Sequence, residues 1–285
     1  MQYMMAKMLY SKILMAVSSN ITALILLFVF QLSSAQNFQH FQSISVKEVE
    51  LVSIDRVGFF YIVLADGSIQ KYSEDAELVA SFKQEGKNQF ISFEAWNGMK
   101  LIAYDQKNKT YSQFDRMLKL QKKSSLDEAL VIAPYQISVS GVDNLWALDG
   151  QVSTLKKINT AAESVEIEIL FDAQHSLELN KSNHIKEYQN MLFVNTPKAG
   201  IWMYNSIIGK RMKILPIKGI NYFNFLGMDL YFVQNNQLHL HDLFTGDTAI
   251  IDLPQAAQYV LLTDETMLLV NQEGLHFYRS DLTDK

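Results

Sequence analysis

The sequence predicts an all-β protein: a six-bladed β-propeller whose N-terminal strand closes the last blade. Three observations predict it. Six short apolar runs recur, each ending at a polar turn: "FYIVLADGS", "KLIAYDQKN", "NLWALDGQV", "MLFVNTPKA", "DLYFVQNNQ" and "TMLLVNQEG". Their central residues, Ile62, Leu101, Leu145, Leu192, Leu230 and Met267, stand 39, 44, 47, 38 and 37 residues apart, close to the spacing of about 40–50 residues seen in propeller blades. Finally, the sixth unit stops after its third strand, at "HFYRSDLTDK", while "HFQSISVKE" at 40–48 is a strand without a unit.

Each unit is expected to hold four strands. The first strands are "LVSID", "FISFEA", "YQISVS", "NHIKE", "NYFNF" and "QYVLL", and the apolar runs above are the second strands. A tight turn follows, and Asp66-Gly67 and Asp149-Gly150 are dipeptides that tolerate positive φ there. The third strands are "SIQKYS", "TYSQFD", "STLKKIN", "GIWMYN", "QLHLHD" and "GLHFYR". The fourth strands are "ELVASF", "LKLQKK", "SVEIEI", "RMKILPI" and "TAIIDL". A bare edge on the sixth unit would invite aggregation, so pairing of 40–48 beside 275–280 is the economical closure. An open sandwich of similar strands gives no reason for six like units and one missing strand. Only "AQHSLELNKS", 173–182, reads as a helical turn or a long loop.

Residues 1–35 read as a signal peptide and 36–285 as the propeller. Lys7 and Lys12 precede the apolar run "ITALILLFVF", and Ser33 and Ala35 supply the small residues of a cleavage site. An uncleaved anchor is the rival, but the run is about half of the roughly 20 residues a span requires. No Cys follows it, so a lipid-modified Cys is excluded. Cleavage before Gln36 removes two lysines and no acid, taking the net charge from −5 to −7. An acidic exported chain argues against nucleic-acid binding, which needs a basic surface. The absence of Cys excludes disulfides and thiolate metal sites.

The stretch "QNNQLHLHDLFTGD" places His239, His241 and Asp242 close together, and residues two apart on a strand share a face. A metal pair is one reading. The third strands of the other units argue for another. His241 occupies a slot held elsewhere by Tyr72, Phe114, Ile158, Tyr204 and Tyr278, a packing position. Asp242 shares its slot with Ser73, Asp115, Asn159, Asn205 and Arg279, where short polar side chains suit a turn. His239 matches Gln70, Ser112, Lys156, Trp202 and His276, a tolerant position at which Trp202 is expected to be exposed. Trp146, in an apolar strand, is expected in the core. His184 falls among aromatic and aliphatic residues of the first strands and is expected to be packed.

First strands lie nearest a propeller's axis. The residues nine before each central residue are Ser53, Ser92, Gln136, Asn183, Asn221 and Gln258, all uncharged hydrogen-bonding side chains. They satisfy buried groups or water near the axis, or they line a channel that holds a small ligand or a peptide end. The ring offers no carboxylate pair for acid–base work and no oxygen set for calcium. Asp55 and Glu94 follow two residues later, but no acidic cluster forms in the other units. No Walker loop, dinucleotide fingerprint, nucleophile elbow or zinc-protease motif is present. "LQKKSS" places lysines on an edge strand, where they oppose edge pairing.

Residues 51–83 and 137–159 resemble repeats of secreted six-bladed propellers of the NHL and TolB-like kind. "LHLHDLFTGDTAIIDL" is similar to repeats of outer-membrane assembly propellers. The resemblance spans nearly all of 40–285 and is architectural. It implies a periplasmic or secreted platform in a Gram-negative envelope that binds proteins or peptides at one mouth. Enzymes among such propellers, metal-dependent lactonases and quinone sugar dehydrogenases, carry acidic or quinone-binding sets that have no match here. The expected function is therefore a non-enzymatic, monomeric platform for an envelope protein or peptide, with no cofactor and no membrane span after cleavage. A metal-dependent hydrolase or lactonase in the axial channel is the alternative.

Overall fold

The computed structural model describes residues 38–83, 90–171 and 181–279. The signal-peptide reading of 1–35, His175 and all but the end of the 173–182 stretch lie outside these residues. The described residues contain no helix, so none is long and apolar enough to cross a membrane. They form six four-stranded antiparallel sheets.

Blade one is β2 (Val49–Ile54), β3 (Phe60–Leu64), β4 (Ile69–Tyr72) and β5 (Leu78–Phe82). Blade two is β6 (Phe90–Glu94), β7 (Leu101–Asp105), β8 (Thr110–Phe114) and β9 (Leu120–Ser125). Blade three is β10 (Pro134–Ser140), β11 (Asn144–Asp149), β12 (Thr154–Asn159) and β13 (Ser164–Leu170). Blade four is β14 (His184–Tyr188), β15 (Met191–Thr196), β16 (Gly200–Asn205) and β17 (Arg211–Leu215). Blade five is β18 (Phe223–Leu226), β19 (Asp229–Gln234), β20 (Gln237–Asp242) and β21 (Thr248–Asp252). Blade six is β22 (Tyr259–Leu262), β23 (Thr266–Val270) and β24 (Leu275–Arg279), completed by β1 (Gln39–Ile44). β1 pairs antiparallel with β24, Ser43 opposite His276 and Ile44 opposite Leu275. The front of the chain thus closes the last blade, as the missing strand required.

The second strands read as continuous apolar runs because both of their faces are buried. On β3, Phe60 and Ile62 pack toward blade six, while Tyr61 and Val63 pack toward blade two. The same alternation fills every seam: each of six apolar clusters joins two neighbouring blades, the last joining blade six to blade one. Burial of each large apolar side chain contributes about 1.5–3 kcal/mol, so the seams hold the ring together. Trp146 is fully buried, as expected. Trp202 corrects its expectation: it is only 2% exposed, because its slot faces the same seam as Trp146. Its indole Nε1 donates to Thr196 Oγ1 at 3.0 Å, which satisfies the one polar atom it buries.

The third strands end alike. Asp115, Asn159, Asn205 and Asp242 each accept two backbone N–H groups of the following turn, and Ser73 accepts one. These are side-chain-nucleated turns into the fourth strand. In blades one to four a bulge falls at the same place, next to Tyr72, Phe114, Ile158 and Tyr204.

Candidate functional site

Antiparallel order sends the first-to-second and third-to-fourth connections to one end of the ring, here the upper mouth. The second-to-third turns and the links between blades lie at the lower mouth. The first strands β2, β6, β10 and β14 touch in turn, and β22 touches β2, so they surround the axis.

The axial cavity is small, about 90 Å3, and draws its lining from all six blades. That is room for about three waters at liquid density. Ser92, Gln136, Asn183 and Asn221 of the predicted ring line it. Asn183 Nδ2 donates to Asn221 Oδ1 at 3.2 Å, and Asn195 Nδ2 donates to Asn183 Oδ1 at 2.6 Å. Ser53 sits elsewhere: it is buried between blades, and its hydroxyl accepts the Ala95 N–H at 3.1 Å. Gln258 is exposed at the lower mouth.

Strand pairing explains the scatter. Tyr72 lies opposite Phe60, whereas its counterparts Phe114, Ile158, Tyr204, His241 and Tyr278 lie opposite Leu101, Leu145, Leu192, Leu230 and Met267. The central residue of unit one is therefore Phe60, not Ile62. The first hairpin is also one residue shorter in blades four to six, for example at the turn Gln189-Asn190, where both residues adopt positive φ. Residues at one height of the axis are Leu51, Ser92, Gln136, His184, Tyr222 and Tyr259, a ring half aromatic.

His184 packs against Tyr222 and Phe223, with ring centroids at 4.9 and 4.7 Å, and its Nε2 lies 3.1 Å from the Phe223 carbonyl. Burial pushes its pKa down to about 4, with Lys186 adding to the effect. Tyr222 is half-buried beside it, and desolvation holds its hydroxyl well above the usual range.

An ion pair crosses the ring at the top of this cavity. Lys186 Nζ, on β14 of blade four, lies 2.9 Å from Glu94 Oε1, on β6 of blade two. Their side chains are 3% and 14% exposed. Glu94 Oε1 also accepts the Trp96 N–H at 3.1 Å. Sequence reasoning noticed Glu94 and missed Lys186, since nothing local in "NHIKE" marks a lysine that points inward.

Phe93 and Glu94 line the axial cavity, and Trp96 lines a larger cleft of about 410 Å3 at the upper mouth. The segment between them is thus the floor that separates the two. The cleft gathers loops from blades one, two, five and six. Trp96 meets Tyr188 edge to face at 5.3 Å, and Tyr188 stacks on Phe225 at 4.3 Å, so three blades share one aromatic base. Asp55 shapes the blade-one loop: its carboxylate accepts the N–H of Val57 and Phe59 and the hydroxyl of Tyr61. This leaves Val57 projecting at the rim, 76% exposed. Arg279 pins blade six to blade one, donating to Thr266 Oγ1 and pairing with Asp75. Glu74, Asp264 and Glu265 give the cleft an acidic lining, in which Arg56 is a basic residue.

Both histidines of β20 are half-buried. His239 stacks on Phe232 at 4.8 Å, and His241 Nδ1 lies 2.9 Å from Thr248 Oγ1. Burial lowers the pKa of both. Among the described residues no three His, Asp or Glu side chains gather to hold a metal ion.

No protein-family model and no curated protein matches the chain. Solved structures do. The WD40 domain of Neurospora crassa Pan2 superposes with a TM-score of 0.59 at 9% identity, covering 87% of this chain and 97% of that one. Virginiamycin B lyase of Staphylococcus aureus gives 0.52 at 11% identity, covering 81% and 80%. At such identities the likeness is one of fold. The class is therefore a six-bladed β-propeller, with a plugged axis and an open cleft at its upper mouth.

Proposed function

We propose that this propeller is a non-enzymatic, monomeric platform that binds a protein or peptide at its upper mouth. One observation carries the reading: a cleft of about 410 Å3 where loops of four blades converge on a shared aromatic base. A protein scaffold fixes these loops, and connecting loops on a rigid frame are where binding residues concentrate. The half-buried Trp96 supplies an aromatic anchor of the sort that dominates interfaces, and the exposed Val57 adds an apolar contact at the rim. The axis offers little to chemistry. Among the described residues, Glu94 is the one carboxylate in the axial lining, and Lys186 already neutralises it. A hydrolase or lactonase metal would need further ligands at the same height.

The leader-like residues 1–35 support export, and the resemblance to NHL and TolB-like repeats supports a place in a bacterial envelope. The net charge of −7 after cleavage argues against a nucleic-acid partner.

The test is capture from envelope extract by residues 36–285, followed by rebinding of the purified partner. Cell fractionation of the full chain should find it in the periplasm, starting at Gln36. Val57→Asp leaves the fold intact because the side chain is exposed, and it should weaken the partner by about tenfold or more; Trp96→Ala should cost about 30-fold, an anchor's worth of binding. Equal affinity for Val57→Asp and Trp96→Ala would remove the upper mouth from consideration.

A further inference from the structure

The lower mouth holds a second cleft, of about 360 Å3, wedged between blades five and six. One wall is the link at Gly219–Tyr222 together with the β19–β20 turn, and the other is Ala257–Val260. Five lining side chains are carboxamides: Asn221, Gln234, Asn235, Asn236 and Gln258. Among the described residues, no lining side chain carries a charge. We propose that this cleft binds a small neutral saccharide.

The lining chemistry selects the ligand. A carboxamide presents both donors and an acceptor, and a sugar hydroxyl likewise donates and accepts. Charged ligands would leave their hydration behind and meet no counter-charge. Among the described residues, the side chains of Asn235 and Asn236 make no hydrogen bond, and that of Asn221 makes one, through Oδ1. Tyr222 and Tyr259 meet edge to face at 5.6 Å and give the cleft an aromatic side for a sugar's C–H face.

The walls are fixed in advance. Asn235 and Asn236 form the two-residue turn between β19 and β20, with φ of 53° and 61°. Gln234 Nε2 donates to the Lys218 carbonyl at 2.7 Å, which ties that turn to the neighbouring link. Opposite, Asn271 Nδ2 donates to the Ala256 carbonyl at 3.2 Å. Such bonds lower the ordering cost of binding. An extended peptide would also find amide partners. However, β19 is already paired on both edges, so a peptide cannot extend that strand.

The experiment is saturation-transfer NMR on residues 36–285. The probes are glucose, galactose, N-acetylglucosamine, their disaccharides, and trialanine. At least one saccharide should receive saturation, with an affinity insensitive to salt. The double variant Asn235→Gly, Asn236→Gly keeps the turn, since glycine accepts positive φ, and removes two carboxamides. It should weaken binding by about tenfold or more, as expected for one or two lost hydrogen bonds. Val57→Asp, at the other mouth, should leave saccharide binding unchanged, so this site and the upper one fail or succeed separately. The proposal is overturned by no transfer to any saccharide, by transfer to trialanine alone, or by equal affinity in the glycine variant.

Discussion

His184 shows how one side chain couples the axis to solution pH. Its Nε2 lies against a backbone carbonyl, so the neutral ring with hydrogen on Nε2 fits the site. Burial depresses the folded pKa to about 4, whereas the unfolded chain titrates near 6.5. The unfolded state therefore binds the extra proton over that window. The stability contributed by the neutral ring is fully present above pH 6.5 and is lost as pH falls toward 4. Complete loss amounts to about 3 kcal/mol. Urea denaturation across pH 4–7 should show His184→Gln falling less steeply than the parent, because a glutamine amide also donates to the Phe223 carbonyl and does not titrate. Parallel pH profiles would deny His184 this part. At this scale the sequence was legible where blades supply comparison: the counterparts of His241 and Asp242 named a packing slot and a turn slot, and the structure has both. Lys186 was illegible, because its partner Glu94 is 92 residues away and two blades distant.

Among the elements, β1 behaves as a true fourth strand. Gly200 opens β16 with φ +111°, and a Cβ there would lie 2.2 Å from the carbonyl oxygen of Leu215 on β17. Gly274 precedes β24 with φ +140°, and a Cβ there would lie 2.2 Å from the carbonyl oxygen of Ile44 on β1. The same close approach thus recurs whether the outer strand comes from the same stretch of chain or from its far end. Gly274→Ala should lower stability by about 2 kcal/mol, from the strained φ and the collision together; thermal melts should show a similar loss for Gly200→Ala. A neutral Gly274→Ala would mean that β1 is not held at this distance. Strand existence was legible because apolar runs and turn residues mark it. Height along the axis was not. A hairpin one residue shorter in blades four to six slides those strands without changing their pattern, which takes Asn183, Asn221 and Gln258 off the height of Ser92 and Gln136, and the different central residue of unit one does the same for Ser53.

For the whole molecule, the pair of Glu94 and Lys186 is a tie-bar from blade two to blade four. Removing one partner leaves a buried charge alone and costs about 3–5 kcal/mol, whereas replacing both with apolar groups is close to neutral. Lys186→Met should therefore melt well below the parent, and adding Glu94→Leu should recover most of the loss. A double variant no better than Lys186→Met would mean that the pair's geometry, not its charge balance, holds the axis. The closure of blade six has a further bearing on how the protein comes to be folded. The segment needed to finish the ring is made near the beginning and its docking site near the end, so Gln39 meets Arg279 across almost the full described length. Such remote pairing is slow to form. The polypeptide stays without its final lock until its last described β-strand has emerged, so the ring sets only once both of its ends are present.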